Sequence, residues 1–231
     1  MAVISFVSSK GGVGKSTAAL VVAGEILDAG STVTIIDADP NQPIVGWSGL
    51  TGPKKGLTVI GGVSEQNIIE TIEKAANETS FVITDLEGSA NMMVGYAISR
   101  SDLAIVPSQA SILDGEGAAA AIRLIDRNAE AFKTKVDKAV LLSRTSAAVQ
   151  PRIQKDLVRM FKEGGVDVFG VQMIDRAAFR AIFALGGTIH DLKNSEVSNL
   201  QAAKDNAEGL IDEIIARLNP ALVKAQKEVA A

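Results

Sequence analysis

The sequence predicts an α/β fold, with a single doubly wound, mostly parallel sheet and helices on both of its faces. Three observations predict it. Short apolar runs alternate with longer helical stretches along the chain, which is typical of strand–helix units in a parallel sheet. The runs are rich in β-branched residues, as expected of strands buried on both faces. The length of 231 residues and the hydrophobic fraction of 47% suit one large α/β domain, which we expect over residues 1–231.

Five apolar runs are predicted to form strands, and two weaker runs are added to them. The five are residues 3–7, 33–36, 81–84, 103–106 and 139–142. The weaker runs are residues 57–60 and 166–169. Each run has the usual length of a strand and is too short for most helices.

Five longer stretches are predicted to form helices. They are residues 16–29, 65–77, 114–132, 151–162 and 198–218. Gly30 lies where a glycine commonly ends a helix, and Pro151 suits the first turn of a helix. Asp114 is the expected N-cap of its helix. Residues 218–231 are expected to form a C-terminal tail.

The composition excludes several classes of protein. There are no cysteines, so disulfide scaffolds, thiolate zinc sites and cysteine-bound iron–sulfur clusters are excluded. No apolar run approaches the length of a membrane span, and the N-terminus lacks the basic region of a signal peptide. We therefore expect a cytoplasmic protein. A formal net charge of −4 does not favour nucleic-acid binding by the whole surface, and local basic patches remain open.

A glycine-rich segment between the first strand and the first helix matches the phosphate-binding P-loop. The segment reads Ser9-Lys10-Gly11-Gly12-Val13-Gly14-Lys15-Ser16-Thr17, and its first residue stands where the motif has a glycine. We expect the backbone N–H groups of the four residues before Lys15 to surround a polyphosphate at the helix N-terminus. Lys15 is expected to reach the β- and γ-phosphates, Ser16 to bind Mg²⁺ and Thr17 to contact the α-phosphate.

Lys10 is a second lysine in this loop, and Lys-Gly-Gly-x-Gly-Lys-Ser/Thr is the deviant Walker A pattern. At this motif the sequence resembles the ParA/MinD family of dimerising ATPases, which have the P-loop NTPase fold. The resemblance implies that Lys10 reaches across a nucleotide-sandwich dimer to the phosphates held by the other subunit. It also implies that the nucleotide is ATP, and the chain has no Asn-Lys-x-Asp run that would read guanine.

Three aspartates stand at the ends of predicted strands. Asp37 and Asp39 are two residues apart, so their carboxylates project on the same side. They resemble the Asp-x-Asp-Pro switch I motif of the family, which implies that Asp39 orients the attacking water and contacts the Mg²⁺ shell while Asp37 supports the site. Asp85 ends an apolar strand like a Walker B carboxylate, which holds the Mg²⁺ shell. Glu87 and Gly88 follow where the family often has a proline, and Glu87 is interpreted as a loop carboxylate.

Arg144 follows the next predicted strand end, where the family places residues that hold the base. Its guanidinium is equally suited to stack on adenine or to pair with a carboxylate, and residues 174–175 are weaker candidates for contacts with the base. Trp47 and His190 are the only tryptophan and the only histidine. We assign chemistry to neither of them. Trp47 is interpreted as covering an apolar patch, and His190 has no visible triad partner and no second histidine with which to bind a metal.

The resemblance covers residues 3–218 and is strongest to the small plasmid-partition ATPases and to the VirC-type proteins that act at transfer-DNA borders. It implies a homodimeric, ATP-dependent switch that binds non-specific DNA in its ATP state. Such a switch partitions or positions plasmid, chromosomal or transfer DNA, or another large cargo. Hydrolysis is expected to be slow until a ParB-like or other partner protein stimulates it, and the protein is expected to associate with the nucleoid.

Contacts with DNA phosphates would come from lysine and arginine. The candidates are Arg152, Lys155, Arg159, Arg176, Arg180 and Lys193. The first three share one helix face by their spacing, although a solvated helix face is the favoured interpretation of each residue taken singly. Two alternatives stay open, a MinD-like ATPase that acts at a membrane surface and a nucleotide-dependent scaffold with little turnover. The tail over residues 219–231 has two lysines and no aromatic residue, so no stable membrane anchor is expected.

Overall fold

Seven strands form one sheet in the computed structural model, which describes residues 1–88, 91–148 and 151–219. The strands are β1 (Ala2–Phe6), β2 (Val33–Ala38), β3 (Leu57–Ile60), β4 (Phe81–Leu86), β5 (Leu103–Ser108), β6 (Asp137–Thr145) and β7 (Met173–Ile174). Their order across the sheet is β3-β2-β4-β1-β5-β6-β7, and every neighbouring pair is parallel. The predicted parallel sheet is confirmed.

Helices cover both faces of this sheet. They are α1 (Lys15–Asp28), α2 (Pro43–Thr51), α3 (Ile68–Glu78), α4 (Met92–Ile98), α5 (Ile112–Phe132), α6 (Arg152–Glu163), α7 (Ala177–Leu185) and α8 (Leu200–Leu218). Apolar side chains of α1, α2, α7 and α8 form the core on one face. Those of α3, α4, α5 and α6 form the core on the other face. The doubly wound arrangement follows from these two separate cores.

Most of the predicted strands are confirmed, and one is wrong. All residues of β2 and β5 are buried, which explains why their sequences are apolar without alternation. The run over residues 166–169 contributes only an isolated bridge between Val168 and Val140. Just beyond it, the N–H groups of Gly170 and Val171 donate to the carboxylate of Glu213 on α8. The backbone is therefore bonded to a helix side chain there, and the seventh strand lies further along the chain.

One predicted helix end is confirmed, two predicted helix starts differ from the structure, and three helices were not predicted. The chain ends α1 as predicted, with Gly30 at φ +75° and its N–H bonded to the carbonyl of Leu27. Asp114 is not an N-cap, because α5 begins at Ile112 and Ser111 accepts the N–H of Asp114. Pro151 is the N-cap residue of α6 and lies just before its first turn. The unpredicted helices α2, α4 and α7 have at most nine residues each, too few to show a clear helical period.

The carboxyl ends of all seven strands lie at one edge of the sheet, because the strands are parallel. The phosphate loop leaves this edge after β1, and Asp39 follows β2. Asp85 of β4 lies in register with Phe6 of β1 on one side and with Asp37 of β2 on the other. Strand order therefore brings three segments of the predicted site together.

No helix in the described residues is long and apolar enough to span a bilayer. Residues 220–231, which make up nearly all of the tail for which no membrane anchor was expected, lie outside the described residues.

Candidate active site

The phosphate loop has a backbone conformation that depends on its glycines. Gly12 and Gly14 have φ angles of +77° and +93°, values that residues with a side chain rarely adopt. Gly14 is also the N-cap of α1 and contributes no side-chain cap. None of the described residues accepts a hydrogen bond from the backbone N–H groups of residues 11–15. These N–H groups, at the positive end of a helix, are free to bind an anion.

Neighbouring segments hold the loop by its carbonyl groups. The hydroxyl of Ser143, at the end of β6, donates to the carbonyl of Val13 at 2.7 Å, and the side-chain amide of Gln109 donates to that of Gly12 at 3.3 Å. Gly88 packs against the loop, since a Cβ there would lie 3.4 Å from the carbonyl carbon of Lys10. The sequence predicted no role for Ser143 or Gln109, and Gly88 was noted only because it stands where the resembled family often has a proline. Their position at the carboxyl ends of strands was the only signal.

Lys15 and Asp85 lie side by side at the base of the loop. Lys15 is 7% exposed, and no carboxylate of the described residues forms an ion pair with it. Asp85 is fully buried, and its Oδ2 accepts the hydroxyl of Ser16 at 2.5 Å. Its Oδ1 has no hydrogen-bond partner among the described residues. The site thus contains a largely buried lysine without an ion-pair partner and a buried carboxylate oxygen without a hydrogen-bond partner among the described residues. Both are costly unless a ligand supplies the missing contacts.

Burial raises the pKa of Asp85 to about 7, although the hydrogen bond from Ser16 and the charge of Lys15 act in the opposite direction. The negative charges of Asp37 and Asp39 raise it further. A cation at this point would favour the ionised form of Asp85. The free Oδ1 atom and the hydroxyl of Ser16 are oxygen donors of the kind that Mg²⁺ prefers. The residues present therefore fit a magnesium ion.

The two aspartates that were predicted to belong to switch I have different surroundings. Asp37 is buried, and its Oδ2 accepts the N–H groups of Ile44 and Val45 at 2.8 and 3.0 Å. Burial raises the pKa of Asp37. Asp39 is half-buried, and its Oδ1 accepts the backbone N–H and the side-chain amide of Asn41. Asp37 thus ties the start of α2 to β2, whereas Asp39 keeps its other carboxylate oxygen available.

Lys10 does not share the environment of Lys15. Its Nζ lies 3.2 Å from Oδ1 of Asp114 in the first turn of α5, and its side chain is 41% exposed. Asp114 is in turn hydrogen-bonded to the hydroxyl of Ser111. Lys10 therefore lies along α5 at the surface.

A cleft beside the loop contains Arg144. The cleft is lined by Gly14, Thr17, Ser143, Arg144, Met173, Ile174, Asp175, Arg176, Phe179 and Arg180. Arg144 is exposed and forms no ion pair among the described residues, and its contact with the base stays a prediction. The Nε of Arg176 is buried without a partner in the described part of the chain. The predicted weaker candidates, residues 174–175, lie in the same cleft.

The six candidate DNA contacts do not lie on one surface. Arg176 and Arg180 line the cleft beside the phosphate loop, and Arg180 pairs with Asp175. The α6 candidates are exposed, but Arg152 and Arg159 each lie within 4 Å of Asp156. The last candidate, Lys193, is exposed between α7 and α8, on the opposite face of the sheet from α6. The three α6 residues thus form one exposed group, and Arg176 and Arg180 form a second group beside the phosphate loop.

Comparison with known proteins agrees with this geometry. A family model described as VirC1 protein matches residues 1–225. ParA of Rhizobium radiobacter is 34% identical over 222 residues, which cover 96% of this chain and all of that protein.

Solved structures share the fold at low sequence identity. Apo McdA from Cyanothece has a TM-score of 0.74 at 14% identity, covering 91% of this chain and 99% of that one. A plasmid partition protein from Borrelia burgdorferi B31 bound to AMPPNP has a TM-score of 0.64 at 16% identity, covering 92% and 99%. The match over almost the whole chain, together with the two-lysine phosphate loop, places this chain in the VirC1 family, within the ParA/MinD family of P-loop ATPases.

Proposed function

We propose that the chain is a Mg²⁺-dependent ATPase switch that dimerises with ATP, binds non-specific DNA in that state and so positions or partitions DNA or another large cargo. The observation that carries this proposal is the contrast between the two lysines of one loop. Lys15 is buried without a carboxylate partner among the described residues, whereas Lys10 is partly exposed and pairs with Asp114 of α5. One lysine is suited to a phosphate in its own chain and the other to a phosphate in a second copy.

The remaining residues of the site have separate roles in this proposal. The N–H groups of residues 11–14 and the ammonium of Lys15 bind the polyphosphate, and Thr17 contacts the α-phosphate. Ser16 and Asp85 hold Mg²⁺, which neutralises charge on the transferring phosphoryl group. Asp39 orients the attacking water. Arg144 lies beside the base, and the unpaired Nε of Arg176 supports a place for Arg176 in the same cleft.

Slow hydrolysis by the monomer follows from the position of Lys10. Its ion pair with Asp114 has to be exchanged for a contact with the phosphates of the other subunit. The charge that stabilises the transition state thus arrives only in the dimer, as an arginine finger supplied in trans does. A ParB-like partner protein that favours the dimeric arrangement would therefore stimulate turnover.

The DNA-binding step is tested with random-sequence duplex DNA, measured with ATP, with ADP and without nucleotide across a salt series. We expect binding with ATP only, falling steeply with salt, because the contacts are made to phosphates. Lys155 forms no ion pair among the described residues, so Lys155→Ala should weaken binding and reduce the salt slope by about 1. Lys74→Ala on α3 removes the same charge elsewhere and serves as the control. No binding in any nucleotide state, despite dimerisation with ATP, would contradict the proposal.

Asp39→Ala is expected to bind ATP normally and to remain a dimer, because hydrolysis is lost while the phosphate loop is intact. ATP binding, light-scattering mass and phosphate release are measured on the same preparation. Asn41→Ala is the control, since Asn41 donates to the same carboxylate but carries no acidic group. If the Asp39 variant stays monomeric with ATP, the proposed role of this residue is wrong.

A further inference from the structure

A turn on the far side of α1 and α2 contacts both helices that leave the active site. It comprises residues 186–191, between α7 and α8, and is called the 186–191 turn. The first helix, α1, begins with Lys15 in the phosphate loop, and α2 begins four residues after Asp39. The turn thus connects the helix that follows the phosphate loop with the helix that follows Asp39, at a distance from the phosphate loop itself.

Two hydrogen bonds join the turn to α2, and a third lies within the helix. The indole N–H of Trp47 donates to the carbonyl of Gly187 at 3.0 Å, and the N–H of Gly187 donates to the hydroxyl of Thr51 at 2.9 Å. The same hydroxyl donates to the carbonyl of Trp47 at 2.9 Å. Trp47 is only 2% exposed. This closed ring of bonds fixes the last turn of α2 against Gly187.

The close approach of the turn to α2 depends on two consecutive glycines. Gly186 and Gly187 have φ angles of +76° and +72°, which favour glycine. A Cβ on Gly186 would lie 3.1 Å from backbone atoms of Leu50 and Thr51. Any side chain at this position would therefore push α2 away from the turn.

The turn is also fixed internally and against α1. Asp191 accepts the N–H and the hydroxyl of Thr188 and forms an ion pair with Lys54, which follows α2. On the α1 side, His190 Nε2 lies 2.7 Å from Oε1 of the buried Glu25. Gly24 packs so closely on the turn that a Cβ there would be 3.2 Å from Thr188. The turn is therefore fixed against both helices at once.

We propose that the 186–191 turn positions Asp39 for hydrolysis by fixing α2 relative to α1, and that Trp47 and Thr51 are positioning residues. Asp37 ties the near end of α2 to β2, and the turn ties its far end to the helix that carries Lys15 and Ser16. With both ends of α2 fixed, the short segment from Asp39 to Gln42 has little freedom. The inference rests on the proposed role of Asp39 in ATP hydrolysis.

Thr51→Val tests this inference, because it removes the hydroxyl and keeps the volume of the side chain. We expect kcat for ATP to fall about two- to tenfold, as for the loss of one hydrogen bond, with an unchanged KM. Ser48→Ala is the matched control, since the hydroxyl of Ser48 bonds only to Val45 within the same helix. Thr51→Ser restores the hydroxyl and should restore kcat. Turnover is measured with saturating random-sequence DNA, far below the melting temperature of each variant.

Trp47 supplies a second readout, because it is the only tryptophan of the chain. Acrylamide quenching of its emission should increase in Thr51→Val and stay unchanged in Ser48→Ala. A variant with a lower melting temperature but wild-type kcat would show that the turn only stabilises the fold, which overturns the inference. Absence of turnover in the wild-type protein would instead overturn the proposed function itself, so the two failures are distinguishable.

Discussion

Lys15→Ala is expected to abolish ATP binding. The ammonium of Lys15 is nearly buried and has no carboxylate partner among the described residues, so the phosphates are its proposed counter-charge. Each hydrogen bond to a charged group contributes about 1.5–3 kcal/mol, and contacts with both the β- and γ-phosphates correspond to a loss of at least about 100-fold in affinity. Calorimetry with a non-hydrolysable ATP analogue and Mg²⁺ measures the effect.

Lys10→Ala is the matched control for this prediction, because it removes the same charge from the same loop. It should bind ATP with nearly the affinity of the wild-type protein but fail to dimerise, since Lys10 is proposed to act on the other subunit. Equal losses of ATP affinity in the two variants would mean that both lysines contact the nucleotide bound in their own chain. If Lys15→Ala binds ATP with wild-type affinity, the assignment of Lys15 to the phosphates is wrong.

Asp85→Asn is expected to stabilise the metal-free protein while removing the effect of Mg²⁺ on nucleotide binding. Burial raises the pKa of Asp85 from 3.8 to about 7 in the folded state. The protonated carboxyl of Asp85 therefore makes its full contribution to the free energy of unfolding below pH 3.8. This contribution is lost as the pH rises through about 7. The ionised carboxylate at pH 8 then costs on the order of 4 kcal/mol. The uncharged amide of the variant avoids this cost. Its own unpaired N–H groups destabilise the folded variant by about 1–3 kcal/mol, which is the smaller effect.

Thermal unfolding in EDTA measures this effect. At pH 8 the variant should melt above the wild-type protein, and the difference should shrink or reverse at pH 5, where Asp85 is mostly protonated. In the same variant, Mg²⁺ should no longer increase ATP affinity. A destabilised variant at pH 8 would show that the Asp85 carboxylate is satisfied within the fold, and its assignment to Mg²⁺ would then lose its physical basis.

The strand predictions show where local pattern is sufficient and where it fails. Residues 57–60 are only a weak apolar run, yet they form β3, because β2 offers a complete parallel partner. Residues 166–169 look similar in sequence but make only one bridge. The difference is the carboxylate of Glu213, which binds the following N–H groups from α8. The residues next to positions 166–169 do not indicate this contact, because Glu213 is distant in the sequence.

The phosphate loop, the helix that follows it and the family could be predicted from the sequence, because they depend on residues within a few positions of one another. Contacts between distant parts of the chain become visible only in the folded structure. Lys10 pairs with Asp114, the Trp47 indole binds Gly187, and Arg176 lies beside the phosphate loop. Such contacts depend on the order in which strands join the sheet and on which face each helix covers. Local periodicity indicates only which residues of a segment are buried. It specifies neither the order of the strands in the sheet nor the face of the sheet that each helix covers.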